Sequence, residues 1–321
     1  MAASTINGLG LRPAFLFPGQ GSQSVGMGKD LYESSPAARK LFDQVDEALG
    51  EPLTKYMFEG PTEELNRTWN CQPAIMTMSL ACLAAAEEAN SETVSNPYLM
   101  AGHSLGEYTA LVVSGVVGLS HAVKLVRERG RLMEEACEQH PGSMAAILGL
   151  DQAVVEEVCR QTGVQVANVN SPGQIVISGE REKVNEAMKL TKEQGARKVI
   201  PLPVSGAFHS YLMGPALSGM LKALDNVEFQ HPSIPVIGNC TAKPLNANKE
   251  VKEELAEQLC GCVQWQECIS YMLKEGTTSF IEFGPGKVLS GLVKQITKDT
   301  PVIAVNDLAS VQSLANGLSA S

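Results

Sequence analysis

"YLMAGHSLGEYTALVVSG", residues 98–115, runs from an apolar stretch through a glycine–His–serine turn into a helical pattern. The order predicts a strand, a tight turn and a helix, and the turn fits G-x-S-x-G, the sharp corner that lifts a serine hydroxyl out of a sheet. Two readings of Ser104 fit this corner. It is a nucleophile facing the free N–H groups of the new helix, or it is an ordinary helix N-cap. The strand before it and the helix after it favour the nucleophile.

Working outward, "PAFLFPG" near the start and "TSFIEFG" at 278–284 repeat the same apolar-run-then-glycine pattern. Strands alternating with helices imply a mostly parallel α/β sheet, in which sites form at the carboxyl ends of strands. "GQGSQ", "GHSLG" and "GPGK" all fall there. The middle of the chain has another rhythm. "GSMAAILG", a helix opened by Asp151, "VQVANVN", the turn "SPG", "QIVISG", a charged helix over about 180–194 and "ARKVIPLPV" follow the order β-α-β-β-α-β of a ferredoxin-like unit. The expected organisation is a discontinuous large domain, residues 1–139 and 207–321, with a small inserted domain at 140–206.

The chain has 321 residues, 44% hydrophobic and 19% charged, as a globular protein does. A net charge of −10 argues against nucleic-acid binding, which needs a basic surface. No apolar run reaches the roughly 18 residues of a membrane span, and "MAASTINGLGLRP" lacks the basic start and apolar core of a secretory signal. The eight cysteines sit in apolar or helical contexts, so reduced thiols in a cytoplasm-like compartment are expected. Cys260 and Cys262 form a C-x-C pair, but no second pair or His cluster stands at zinc-ligand spacing, and no metal is expected.

A serine nucleophile needs a base. Of the five histidines, His121, His140 and His231 lie in solvent-like contexts, and His103 lies inside the turn, where a supporting role fits it. His209, in "PVSGAFHSYLM", follows a strand and a small-residue turn and can reach the strand ends. Asp151 is the only aspartate between Ser104 and His209, and N-capping suits it better than catalysis. A simple Ser–Asp–His hydrolase order is therefore missing its acid.

The helix "LSHAVKLVRERGRLMEEACEQ", with Ser120 as its expected cap, buries Ala122, Leu125, Val126, Leu132, Met133 and Ala136 on one face. Arg129 falls inside that stripe, whereas Arg127 and Arg131 fall outside it. A guanidinium on a buried face needs an anion. Two partners fit: an internal carboxylate such as Glu107, or a substrate carboxylate that the guanidinium grips with two donors. In "PGQGSQSVGMG", glycines free backbone N–H groups to face a ligand, and Gln20 is placed to serve an oxyanion hole. "FGPGKVLSG" fails as a phosphate loop, because Ile281 stands where glycine is required and Val288 where Ser or Thr is required.

In this order, "FPGQGSQ", "GHSLGEY", the "RG" of the arginine helix, "NSPGQIVISG", "FHS", "QLCGCVQW" and "EFGPGKVLSGL" resemble the malonyl-CoA:acyl carrier protein transacylases over residues 13 to 300. These enzymes load extender units for fatty-acid and polyketide synthesis. The resemblance implies an α/β-hydrolase-like domain with a mostly parallel sheet and a ferredoxin-like insertion, matching the split above. It implies Ser104 as the malonylated nucleophile, His209 as base, and the backbone amides of Gln20 and Leu105 as oxyanion hole. It further implies the Gln258 carbonyl as the group orienting His209, Arg129 as the malonyl-carboxylate clamp, and Asn170 near the site. The substrates implied are malonyl-CoA and a phosphopantetheinylated acyl carrier protein, with no cofactor beyond the CoA thioester, in a cytoplasmic monomer. Organelle import is the alternative location. The motifs resemble malonyl-selective rather than methylmalonyl-selective members. Carrier docking would use a basic patch at Lys183, Lys189, Lys192, Arg197 and Lys198, or one at Lys287, Lys294 and Lys298. The competing functions are a hydrolase of acyl thioesters using the same Ser104 and His209, and a non-catalytic acyl- or partner-binding module.

Overall fold

The computed structural model describes residues 12–90, 94, 96–204 and 206–317. Most of the N-terminal stretch considered above as a possible signal lies outside them. The strands are β1 (Pro13–Phe17), β2 (Leu99–Gly102), β3 (Gly142–Leu148), β4 (Gln165–Ser171), β5 (Gln174–Glu180), β6 (Lys198–Pro201), β7 (Val236–Ile237), β8 (Pro244–Leu245), β9 (Ser279–Phe283) and β10 (Val302–Val305). They form a six-stranded sheet in the order β10-β9-β1-β2-β7-β8 and a four-stranded sheet in the order β4-β5-β3-β6. In the first, β10, β9, β1, β2 and β7 are parallel and only β8 runs antiparallel. The second is antiparallel, with β5 and β6 flanking β3, which is the ferredoxin-like arrangement.

β1 is buried along four of its five residues because helices cover both faces of the parallel sheet. On one face lie Phe15, Phe17, Met100 and Ile281, covered by the helices Thr68–Ala89 and Leu105–Val113, with Leu119–Gln139 packed against Thr68–Ala89. The Thr68–Ala89 helix is apolar all round and buried nearly throughout, as a central core helix must be. On the other face Leu16, Ala101 and Phe280 meet Trp265, Met272 and Leu289. The antiparallel sheet has its own core, with Ile147, Val155, Val158, Ile175, Ile177 and Val184. The edge strand β4 is tied to the segment that leads into the helix Trp265–Lys274: Val169 N–H donates to Val263 O, and Val263 N–H donates to Ala167 O, each at 2.9 Å.

Glycine decides how close the elbow comes to the sheet. A Cβ on Gly102 would lie 1.8 Å from the carbonyl carbon of Gly106, and one on Gly106 would lie 2.0 Å from Phe17 O. Both obstacles are backbone, so no side-chain rotation relieves them. Gly106→Ala is expected to destabilise by about 3 kcal/mol or more, the upper range for an overpacked core. Denaturant unfolding with an unchanged midpoint would contradict the close approach.

One local expectation is corrected. The arginine helix begins at Leu119, its N-cap is Gly118 without a side-chain cap, and Ser120 sits within the first turn. The glycine already adopts the extended backbone that a cap position requires, so the helix starts two residues early.

Candidate active site

Ser104 lies at the carboxyl end of β2, one residue before the helix Leu105–Val113, with φ 51° and ψ −105°. Positive φ in a residue with a side chain is costly and is characteristic of this strand-to-helix corner. Ser104 occupies the N-cap position, but its side chain makes no capping hydrogen bond, so capping is not the task of its hydroxyl. Its Oγ instead stands 2.8 Å from His209 Nε2. Its N–H donates to Asn239 Oδ1 at 2.7 Å, while Asn239 Nδ2 donates to Gly102 O at 2.7 Å, so the asparagine braces both sides of the corner.

His209 also has positive φ, 56°, and only 5% of its surface is exposed. A carbonyl can only accept, so the 2.8 Å contact between His209 Nδ1 and Gln258 O places the ring proton on Nδ1. Nε2 is then the lone-pair nitrogen, ready to accept the Ser104 hydroxyl proton. Burial, reinforced by the nearby Arg129 charge, pushes the His209 pKa down to about 3, against the opposing pull of the Gln258 carbonyl. The imidazole is therefore neutral at pH 7. Asp151 is an N-cap that accepts from Ala153 N–H at 2.9 Å, and the orienting group on the histidine is a backbone carbonyl.

Arg129 is 1% exposed. Its Nη1 donates to Gln72 Oε1 at 2.7 Å, and its Nη2 donates to Gln258 Oε1 at 2.9 Å and to Ser104 Oγ at 3.2 Å. Its carbon centre lies 5.3 Å from the Tyr108 ring. Among the described residues it makes no ion pair within 4.0 Å, and its Nε has no partner. The internal alternative, Glu107, is held instead by Gln258 Nε2 at 2.6 Å and Asn239 N–H at 3.3 Å. Neutral amide oxygens thus hold a buried cation whose charge is left for an anion arriving beside Ser104. Arg131, expected outside the stripe, pairs on the surface with Glu128 and Glu135, whereas Arg127 is more buried than that expectation, donating to Asn70 Oδ1 at 2.8 Å and pairing with Glu51.

The loop after β1 packs on the elbow. His103 N–H donates to Phe17 O at 3.0 Å, and a Cβ on Gly19 would meet His103 O at 2.5 Å. Gln20 follows directly, half-buried. Leu105 is the first helical residue, so its N–H has no intrahelical acceptor, and the positive end of the helix dipole faces the same point. His103 Nε2–H donates to Asn170 Oδ1 on β4 at 2.9 Å, and the ring lies 5.4 Å from the Trp265 ring. This ties the elbow to the antiparallel sheet. Burial lowers the His103 pKa, against the opposing pull of the Asn170 hydrogen bond.

His121, His140 and His231 are exposed. Cys260 and Cys262 are partly exposed free thiols, and no group of three or more His, Cys, Asp or Glu able to hold a metal occurs among the described residues. No helix among them is long and apolar enough to cross a membrane. Three site residues escaped the sequence reading as ligands of the machinery: Gln72, Asn239 and, in its structural role, Glu107. Gln72 did leave a signal, as a polar residue in the apolar run "CQPAIMTMSLACLAAA". Asn239 follows a two-residue strand and left none.

The acyl transferase domain family model matches residues 14–316. The malonyl CoA-acyl carrier protein transacylase of Bacillus subtilis is 48% identical over 93% of this chain and 95% of its own length. That of Escherichia coli K12 is 41% identical over 92% of this chain and 96% of its own. The crystal structure of the acyl-carrier-protein S-malonyltransferase from Bartonella henselae superposes with a TM-score of 0.91 at 40% identity, covering 95% of this chain and 99% of that one. A malonyl-transacylase solved in complex with a type II polyketide synthase acyl-carrier protein also superposes at 0.91, with 39% identity, covering 95% of this chain and 99% of that one. An elbow serine, a carbonyl-oriented histidine and a buried arginine on this fold, with relatives of such length and identity, make the chain a member of the malonyl CoA-acyl carrier protein transacylase family.

Proposed function

We propose that the chain transfers a malonyl group from malonyl-CoA to the phosphopantetheine thiol of an acyl carrier protein, in two steps through a malonyl-Ser104 ester. The observation that carries this reading is Arg129, a buried guanidinium that makes no ion pair among the described residues and whose Nη2 lies 3.2 Å from the nucleophilic oxygen. A free carboxylate on the acyl group would supply the missing anion and fix the thioester carbonyl above Ser104.

In the first step the Ser104 Oγ–H proton passes to His209 Nε2 as Oγ attacks the thioester carbonyl. The Leu105 and Gln20 N–H groups would hold the resulting oxyanion. Collapse breaks the C–S bond, and the CoA sulfur takes the proton back from Nε2. In the second step the carrier thiol gives its proton to Nε2 and attacks the ester carbonyl. Collapse then breaks the C–Oγ bond and returns the proton to Ser104. Thioester is exchanged for thioester, so the sequence needs no cofactor. The Gln258 carbonyl stabilises the transient imidazolium, the task an acid performs in other dyads and triads. The reading takes the protein to be a monomer of the cytoplasm that loads extender units for fatty-acid or polyketide synthesis. Lys189, Lys192, Arg197 and Lys198 are exposed and would face an acidic carrier, with Lys287, Lys294 and Lys298 as the second exposed group.

Arg129→Ala tests this directly. The kcat/KM for malonyl-CoA is expected to fall about 100-fold or more, the scale of losing a buried charge-assisted contact, while that for acetyl-CoA falls much less. An unchanged malonyl-to-acetyl ratio would contradict the clamp.

A further inference from the structure

Behind the nucleophile, one glutamine joins the base to the cation. Gln258 main-chain O accepts from His209 Nδ1–H at 2.8 Å, and its side-chain Oε1 accepts from Arg129 Nη2–H at 2.9 Å. The Gln258 Nε2 in turn donates to Ser104 O at 3.1 Å and to Glu107 Oε2 at 2.6 Å. These acceptors fix the amide so that its oxygen, and not its NH2, faces the guanidinium. Glu107 Oε2 also accepts from Asn239 N–H at 3.3 Å, and Asn239 Oδ1 receives Ser104 N–H at 2.7 Å. One carboxyl oxygen therefore reaches nucleophile, base and cation, each through a single intervening residue.

Glu107 is 0% exposed, makes no ion pair within 4.0 Å, and its Oε1 has no partner among the described residues. The ionisable groups around it are Glu254 from the helix Asn248–Glu257, Arg129 from its own helix, Tyr108, and the Cys240 and Cys268 thiols. Burial and the Glu254 carboxyl push Glu107 well above the usual carboxylate range, outweighing Gln258, Asn239 and Arg129. An ionised Glu107 would neutralise the charge that Arg129 needs for its ligand.

We propose that Glu107 is a positioning residue for the transfer reaction. As a neutral carboxyl it holds Gln258 in register, so that His209 and Arg129 stay aligned while Arg129 keeps its full charge for the acyl carboxylate. The inference rests on the reading of Arg129 as a carboxylate clamp. It makes the reach of the Glu107 side chain matter and its charge dispensable.

Two variants separate reach from charge. Glu107→Gln keeps an oxygen at the same distance for Gln258 and Asn239 and cannot ionise. Glu107→Asp can ionise and falls short by one methylene. We expect E107Q to stay within about threefold of wild type in kcat/KM for malonyl-CoA. E107D should lose about 30-fold or more, on the scale of an ångström of misalignment, with at least a tenfold drop in its malonyl-to-acetyl ratio. The reverse order, a folded E107Q as impaired as E107D, or a folded E107D within threefold of wild type would overturn the proposal. A destabilised E107D with an unchanged malonyl-to-acetyl ratio would also overturn it, since a purely structural role moves stability and not selectivity. If E107D does not fold, E107Q decides alone: retained turnover supports the inference and lost turnover refutes it. Wild-type enzyme that itself fails to prefer malonyl-CoA would refute the functional reading instead.

Discussion

Ser104→Ala is expected to take up no acyl group from malonyl-CoA and to lose at least about 10⁴-fold in kcat. The size of the effect follows from what the serine does and not from what it stabilises. Among the described residues, Ser104 Oγ is the one nucleophilic atom placed within hydrogen-bond distance of both the His209 Nε2 lone pair, at 2.8 Å, and an Arg129 donor, at 3.2 Å. With alanine there, the carrier thiol would have to attack the CoA thioester directly. That route needs both pantetheine arms in one site, whereas the ester intermediate lets them occupy it in turn. The corner itself should persist, because the φ of 51° is set by Asn239 and the glycine contacts and not by the hydroxyl. Steady-state transfer to a phosphopantetheinylated carrier is the measurement, with a thermal melt as control. Turnover above about a tenth of wild type by a folded variant would contradict the account.

The second large effect belongs to His209. His209→Ala is expected to lower kcat by about 10³-fold or more, since the serine would then have to lose its proton to water. The wild-type pH profile carries a finer expectation. The neutral imidazole is the base, so activity is present above its pKa and lost as pH falls through it. Burial and the Arg129 cation push that pKa down to about 3. The acid limb of kcat/KM, which reports the free enzyme, should therefore lie well below the ordinary histidine value near 6.5. Because Arg129 is one of the groups depressing it, Arg129→Ala should move the acid limb upward. A wild-type inflection near pH 6.5 would contradict the neutral, desolvated base.

The fold was legible where its signals are local. The strand-to-helix corner at 98–115, the apolar runs of β1 and β9 and the β-α-β-β-α-β order of the middle segment all lie within short windows whose periodicity changes visibly. β7 and β8, two residues each, are too short for any periodicity; β7 forms on the open edge of β2, and β8 pairs in turn with β7. The cap falls at Gly118 and not at Ser120, since serine is a good cap in isolation but the glycine already has the extended backbone of a cap, two residues earlier. The same division runs through the site. Arg129 was visible as a cation in an apolar stripe, yet its partners were not, because Gln72 and Gln258 lie 57 and 129 residues away in the chain. The choice between Glu107 and an external anion turned on those two amides, which only the folded chain brings together.

The most direct test is intact-protein mass after brief exposure to malonyl-CoA, followed by addition of a phosphopantetheinylated acyl carrier protein. The account predicts one malonyl adduct on Ser104 that disappears from the enzyme as it appears on the carrier. An adduct lost to water at the same rate with or without carrier would identify a thioester hydrolase, and no adduct at all would contradict Ser104 as the nucleophile.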